Sequence, residues 1–252
     1  MNKIILSISF LFIGFITIAQ WNPNTFENLA VSQQQCSDLQ TATTSDGKTW
    51  VAFYSQNTST GNYDMRVQLL DFYGNKLMGP DGMVASSLTS GSATFVFNVC
   101  VDAGNNLIIG YQYDAGGVMN VALAKVTPAG SLPWGSGVVL GQGLAPYPAV
   151  SKTNDIVVCW NNNSPSTTYV QKVSSAGYLM WTSPVSITVG TSNTTRGQVV
   201  CHTNGDFTVV FQKRGFGIST TLYAQRYNND GAALWAAPVQ LCNEATASYS
   251  YY

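Results

Sequence analysis

The feature that most constrains this chain is a short pattern it spells four times. Its clearest copy runs from Leu222 to Cys242: an extended run through Tyr227, a turn at Asn229-Asp230-Gly231, a Leu234-Trp235 pair and a second short run from Val239 to Leu241. Weaker copies turn at Gly177, Gly130 and Gly74. Gly177 follows Gln171-Lys172-Val173 and leads to Leu179-Met180-Trp181. Gly130 follows Ala124-Lys125-Val126 and leads to Leu132-Pro133-Trp134, whereas Gly74 follows Gln68-Leu69-Leu70 and leads to Leu77 with no Trp. The four glycines are 56, 47 and 54 residues apart. A strand-rich unit of about fifty residues is too thin to bury both of its apolar faces, so its copies must stack.

Each copy follows one plan. A first strand leads to a turn at Asp46-Gly47, Ala103-Gly104-Asn105, Thr153-Asn154 or Asn204-Gly205. Those residues accept the positive φ angles of a two-residue hairpin. A second strand follows and ends in an aromatic, Tyr54, Tyr111, Trp160 or Phe211. A loop rich in Ser, Thr, Asn and Gly comes next, then a third strand with its Gln-Lys or Gln-Arg pair, expected to be exposed. The glycine turn and a short fourth strand complete the unit, and no window carries a helical period. The chain is therefore expected to be all-β, a β-propeller-like array of four-stranded blades. The repeats run at approximately 33–86, 87–142, 143–190 and 191–242. The aromatic column and Trp134, Trp181 and Trp235 are expected to fill the seams between blades. Residues 28–31 read as the closing strand of a repeat and residues 243–252 as the start of a further one. Four visible blades in an incomplete ring is the expectation, with a redundantly closed four-bladed ring as the alternative.

Residues 1–19 read as a signal peptide: Lys3 supplies the positive start, Ile4 to Ile18 is apolar, and Ala19 offers a small residue at the cut. The apolar run falls short of the roughly 20 residues a spanning helix needs, so residues 20–252 are expected to carry no membrane span. A secreted or cell-surface location follows, with the periplasm as a further option. Charged residues make up 9% of the chain, against about 25% in an ordinary soluble domain. Its 11 Lys and Arg are spread along the chain and cannot form the basic stripe that nucleic acid requires. The cysteines are Cys36, Cys100, Cys159, Cys201 and Cys242, an odd number with no metal-ligand spacing. They are expected as small buried strand residues, with a Cys36–Cys242 disulfide as the alternative. Cys100 and Cys201 are read as the same repeat position.

The segments Leu222-Tyr-Ala-Gln-Arg-Tyr227, Asp230-Gly231 and Leu234-Trp235 resemble the repeats of large secreted propeller proteins from Bacteroidetes-type bacteria. Such proteins usually end in a type IX secretion sorting domain, which these residues do not contain. The resemblance spans the chain after residue 19; it implies a fold and export, and it carries no catalytic motif.

Little else in the sequence points to chemistry. His202 is the single histidine, too few for a multi-His metal site, and is expected as a structural strand residue. There is no G-x-S-x-G elbow and no glycine-rich phosphate loop, so no metal and no cofactor are expected. Ser45-Asp46-Gly47-Lys48-Thr49-Trp50 comes close to the Asp-box of sialidases but is one residue short and occurs once; it reads as a hairpin turn. Paired carboxylates would suffice for a glycosidase. With Asp46, Asp81 and Asp230 assigned to turns, the remaining acids are Glu27, Asp38, Asp64, Asp71, Asp102, Asp114, Asp155, Asp206 and Glu244. The loops after the second strands combine neutral hydrogen-bonding groups with aromatics, which suits a glycan or protein ligand. Tyr63, Asn161, Asn162 and Tyr169 are the ligand-binding candidates. A non-catalytic, secreted β-propeller module for extracellular binding or adhesion is the first reading. Part of a glycan-acting propeller enzyme, or a spacer in a large surface protein, are the alternatives.

Overall fold

The computed structural model describes residues 28–88, 90–91, 96–163, 166–214, 219–242 and 246–247. The expected signal peptide, Glu27 and Glu244 lie outside them. Each of the four repeats forms one antiparallel sheet of four strands in sequence order, and no helix occurs among the described residues. The first sheet is β1 (Cys36–Thr43), β2 (Thr49–Gln56), β3 (Tyr63–Leu70) and β4 (Met83–Val84). The second is β5 (Phe97–Val101), β6 (Leu107–Ala115), β7 (Val118–Val126) and β8 (Val138–Gln142). The third is β9 (Leu144–Val150), β10 (Ile156–Asn163), β11 (Ser166–Val173) and β12 (Val185–Ile187). The fourth is β13 (Asn193–Cys201), β14 (Phe207–Arg214), β15 (Ser219–Tyr227) and β16 (Val239–Gln240), with β17 (Thr246–Ala247) pairing β15 beyond the main path. The first strands pack in series, β1 on β5, β5 on β9 and β9 on β13. They form the axial layer.

Both tight turns of a repeat have one geometry. The first closes with backbone bonds from Thr44 to Lys48, Asp102 to Asn106, Ser151 to Asp155 and His202 to Asp206. These are three-residue loops with one left-handed residue, not the two-residue hairpins expected. That residue is Gly47, Asn105, Asn154 or Gly205, with φ of 83°, 62°, 65° and 95°, the turn-plus-bulge form in which Gly and Asn are both tolerated. The second turn repeats the arrangement at Gly74, Gly130, Gly177 and Gly231.

The pleat sends alternate residues of each strand to opposite faces, and the faces of adjacent sheets form three largely apolar seams. Trp50, Ala52, Tyr54, Met65, Val67 and Leu69 of the first sheet meet Leu107, Ile109, Tyr111 and Val126 of the second. Ile108, Val121 and Leu123 of the second meet Ile156, Val158, Trp160 and Val173 of the third. Val157, Cys159 and Val170 of the third meet Val199, Phe207, Val209, Phe211 and Tyr227 of the fourth.

The register corrects several readings. Phe53, not Tyr54, stands level with Tyr111, Trp160 and Phe211, as the pairing of each second strand with its first shows. Tyr54 lies one residue on and so fills the opposite seam. By the same one-residue shift Cys100 and Cys201 are not equivalent: Cys100 matches Ala149, whereas Cys201 matches Val150. No disulfide joins the cysteines among the described residues; Cys159 is buried and Cys36 exposed. The Gln-Lys pair of the third sheet is buried, not exposed, and Gln225 is buried as well. Gln171 and Gln225 donate to the carbonyls of Trp181 (3.0 Å) and Trp235 (3.1 Å), pinning the loop after the glycine turn to the third strand. Residues 28–31 form no strand; Val31 packs on Val51, Phe53 and Leu70, the outward face of the first sheet. Of residues 243–252, Thr246–Ala247 pair with Ser219 and Thr220 of the fourth sheet.

Candidate functional site at the axis

Three of the four axial strands carry one irregularity at one height. Asp38 and Leu39 together face Phe53, Ala145 and Pro146 face Trp160, and Arg196 and Gly197 face Phe211. The extra residue is left-handed each time, with φ of 45° at Asp38, 51° at Ala145 and 53° at Arg196. Asp tolerates that conformation; Ala and Arg do so at a cost of about 1–3 kcal/mol. Bulges re-aim side chains and gather next to functional sites. The neighbouring sheet holds two of them. Ala145 N–H donates to Gln112 Oε1 at 3.2 Å, and Asn161 Nδ2 donates to Thr195 Oγ1 at 3.2 Å, one residue before Arg196. The Tyr54 hydroxyl donates to the Gln112 carbonyl at 2.7 Å. The polar residues that follow the aromatics of the second and third blades thus support two of the three bulges.

Between this level and the first turns, the axial strands line a cavity of about 400 Å³. Gln40, Asn98 and Tyr147 enter it from the same repeat position on three sheets, with Cys100 and Cys201 deeper along the strands. No charged side chain lines it. Burial, with a smaller contribution from Cys201, pushes the Cys100 thiol up to about 12, and burial pushes Cys201 up to about 11. Both stay protonated near neutral pH and are poor nucleophiles. The cavity therefore offers neutral hydrogen bonding, and Asp38 and Arg196, both exposed, stand at the bulges of two of the axial strands, outside its lining.

No protein-family model and no curated protein matches the chain. Solved structures do. The α-L-arabinofuranosidase Arb93A of Fusarium graminearum covers 84% of this chain and 68% of its own, with a TM-score of 0.57 at 11% identity. An α-L-arabinanase of Penicillium chrysogenum, solved with arabinobiose, covers 82% and 68%, with a TM-score of 0.55 at 13% identity. A protein of unknown function from Dyadobacter fermentans covers 83% and 71%, with a TM-score of 0.52 at 13% identity. The fold is a β-propeller. At such identities the likeness extends to the fold alone.

The propeller separates the four ligand candidates read from the sequence. Tyr63, half-buried, packs in the seam between the first two blades. Tyr169 lies against Trp160, ring centroids 5.8 Å apart, in the next seam. Asn161 is buried between the third and fourth blades, where it also accepts from the Thr168 hydroxyl at 3.2 Å. Asn162 is half-buried on the strand beside it.

Most carboxylates of the propeller are committed elsewhere. Asp102, Asp155 and Asp206 pair with Lys125 (2.8 Å), Lys172 (3.2 Å) and Arg226 (2.9 Å) at the turn end of the blades. Asp71 caps its own glycine turn, and Asp81 accepts from the Gln33 N–H at 2.7 Å. At the opposite end Asp64 accepts from Asn57 Nδ2 (3.3 Å) and Asp114 from the Gly117 N–H (2.6 Å). Asp38 makes no hydrogen bond or ion pair among the described residues, and the four axial strands carry no other carboxylate. His202 shares a hydrogen bond with Thr208 at 2.8 Å and opens the first turn of its blade just after β13, where a strand residue was expected. Sequence reasoning passed over Arg196 and did not single out Asp38, because a bulge built on a residue other than glycine leaves no mark in residue type.

Proposed function

We propose that this chain is a glycan-acting β-propeller module that takes a saccharide at the axial mouth, where Asp38 and Arg196 flank a neutral cavity. The observation that carries the reading is the level set of left-handed bulges on three axial strands, which puts a carboxylate and a guanidinium on the same layer of strands that lines a neutral cavity suited to sugar hydroxyls. The arabinanase and arabinofuranosidase folds support it at the level of architecture. Asp38 would accept hydrogen bonds from, or exchange a proton with, a bound sugar. Two-carboxylate hydrolysis needs a second acid, for which Asp64 and Asp114 at the loop end are the candidates. The single axial carboxylate favours a second reading, binding without turnover. Residues 1–19 support a place outside the cytoplasm.

Titration calorimetry with arabinan, galactan and mannan oligosaccharides, paired with a reducing-end assay, tests both readings. Turnover lost in Asp38→Asn with affinity retained assigns a catalytic module. Affinity lost in the same variant without turnover in the parent assigns a binding module. No affinity and no turnover across the panel overturns the proposal.

A further inference from the structure

The three seams obey a common rule, and the outward face of the fourth blade meets it on one side only. In each seam, the residue four places after the turn glycine of one blade packs on the turn glycine of the next. The sulfur of Met78 would lie 3.6 Å from a Cβ placed on Gly130; Trp134 would lie 2.6 Å from one on Gly177, and Trp181 3.2 Å from one on Gly231. In the two later seams the cation of the third strand also crosses. Lys125 Nζ donates to the Ser175 carbonyl at 3.3 Å, and Lys172 Nζ donates to Asn229 Oδ1 at 2.6 Å. Ser175 and Asn229 are both the second residue of their glycine turns.

On the fourth blade the equivalent residues are Trp235 and Arg226. Arg226 is held by Asp206, as Lys172 is by Asp155, yet its Nε is buried without a hydrogen-bond partner among the described residues. The apolar positions of the same face are open. Leu222 is 40% exposed and Val200 56% exposed, whereas Met65 and Val121, which match Leu222, are fully buried. The outward face of the first blade, which is the opposite face of the repeat, is by contrast covered, with Phe53 and Leu70 buried beside Val31.

We propose that the outward face of the fourth blade, built on Val200, Leu222, Arg226 and Trp235, is a docking surface for one further four-stranded sheet of the same repeat type, supplied by polypeptide outside residues 28–247. The occupant sets a turn glycine under Trp235 and a neutral oxygen from the second residue of that turn against Arg226. Its facing strands cover Leu222 and Val200 with aliphatic side chains. The face continues an interface used three times within the chain, and it asks for a neutral acceptor because Asp206 already balances the charge of Arg226.

The test starts with the chain as it stands. Leu222→Lys is expected to move the melting temperature by no more than about 2 °C, as at an open surface position, and light scattering is expected to show a single copy. A second protein carries an extra copy of residues 143–190, glycine turn included, after Tyr252. There the melting temperature is expected to rise, Trp235 emission to shift to the blue, and Leu222→Lys to become destabilising. A large loss from Leu222→Lys in the unextended chain overturns the proposal, because the face is then already covered. A silent Leu222→Lys with unchanged Trp235 emission in the extended protein overturns it as well. Self-association abolished by Leu222→Lys assigns the face to a second copy instead.

Discussion

Lys172 Nζ lies 2.6 Å from Asn229 Oδ1 across the seam between the third and fourth blades, while Asp155 of its own blade holds the same ammonium at 3.2 Å. Lys125 does likewise one blade earlier, between Asp102 and the Ser175 carbonyl. One buried cation thus ties the first turn of a blade to its third strand and to the glycine turn of the next blade. The cation is worth its desolvation only while all of its partners are present.

Removing one partner should therefore cost more than removing the pair. Asp102→Asn leaves the Lys125 ammonium uncompensated and is expected to lower unfolding free energy by about 3–5 kcal/mol. Adding Lys125→Met to that variant should recover much of the loss, since the stem then packs as a hydrophobe. Urea unfolding of the four proteins of the cycle reads both values.

The same carboxylate sets a pH dependence. Burial works against the charged form of Asp102, but the hydrogen bonds from Lys125 and Asn106 outweigh it and hold the carboxyl below its usual range. A depressed folded value contributes stability that is present above the unfolded value near 3.9 and is lost as pH falls through the folded one. The parent protein should lose stability below about pH 4. Asp102→Asn should lose less over the same interval when urea midpoints at pH 3 and pH 6 are compared.

Asn105 does two things in its turn: it holds the left-handed position, and its side-chain oxygen accepts from the N–H and hydroxyl of Ser45 in the preceding blade at 2.8 and 2.9 Å. Asn154 accepts from the Ala103 N–H in the same way at 2.9 Å. Asn105→Gly keeps the backbone conformation and loses only the cross-blade bonds. It is expected to cost about 1–2 kcal/mol by thermal unfolding.

Gly177 and Gly47 separate backbone strain from packing. Both are left-handed, yet a Cβ at Gly177 would meet Trp134 at 2.6 Å, and one at Gly47 meets nothing within 4 Å. Gly47→Ala should cost about 1 kcal/mol. Gly177→Ala should cost about 1–3 kcal/mol more, because Trp134 must shift, and should redden Trp134 emission.

What was legible in the chain was whatever a turn imposes on residue type. Each glycine turn needs a left-handed fourth residue and an oxygen on its first, and Asp71, Thr127, Ser174 and Asn228 supply that oxygen to the N–H four residues on. The repeat period, blade count and strand order follow from that spacing. Register within a strand was less visible. Phe53-Tyr54 offers two aromatics where the other repeats end in one, and a slip of one residue sends a side chain to the other seam. Gln171 and Lys172 looked exposed by type, but a buried cation with Asp155 and Asn229 as partners breaks that rule. The axial bulges were illegible because Ala145 and Arg196 are residues that ordinarily avoid the conformation they hold. The loop candidates were chosen by composition, which says nothing about which seam a side chain enters.

The claim on which the account rests is that the blades are joined by side chains that cross every seam in register. A double-mutant cycle in urea with Lys172→Met, Asn229→Ala and the double variant measures it most directly. A coupling of about 1.5–3 kcal/mol, as for a hydrogen bond to a charged group, is predicted. Additive losses with no coupling would contradict the account, because the two blades would then meet without the contact that defines the seam.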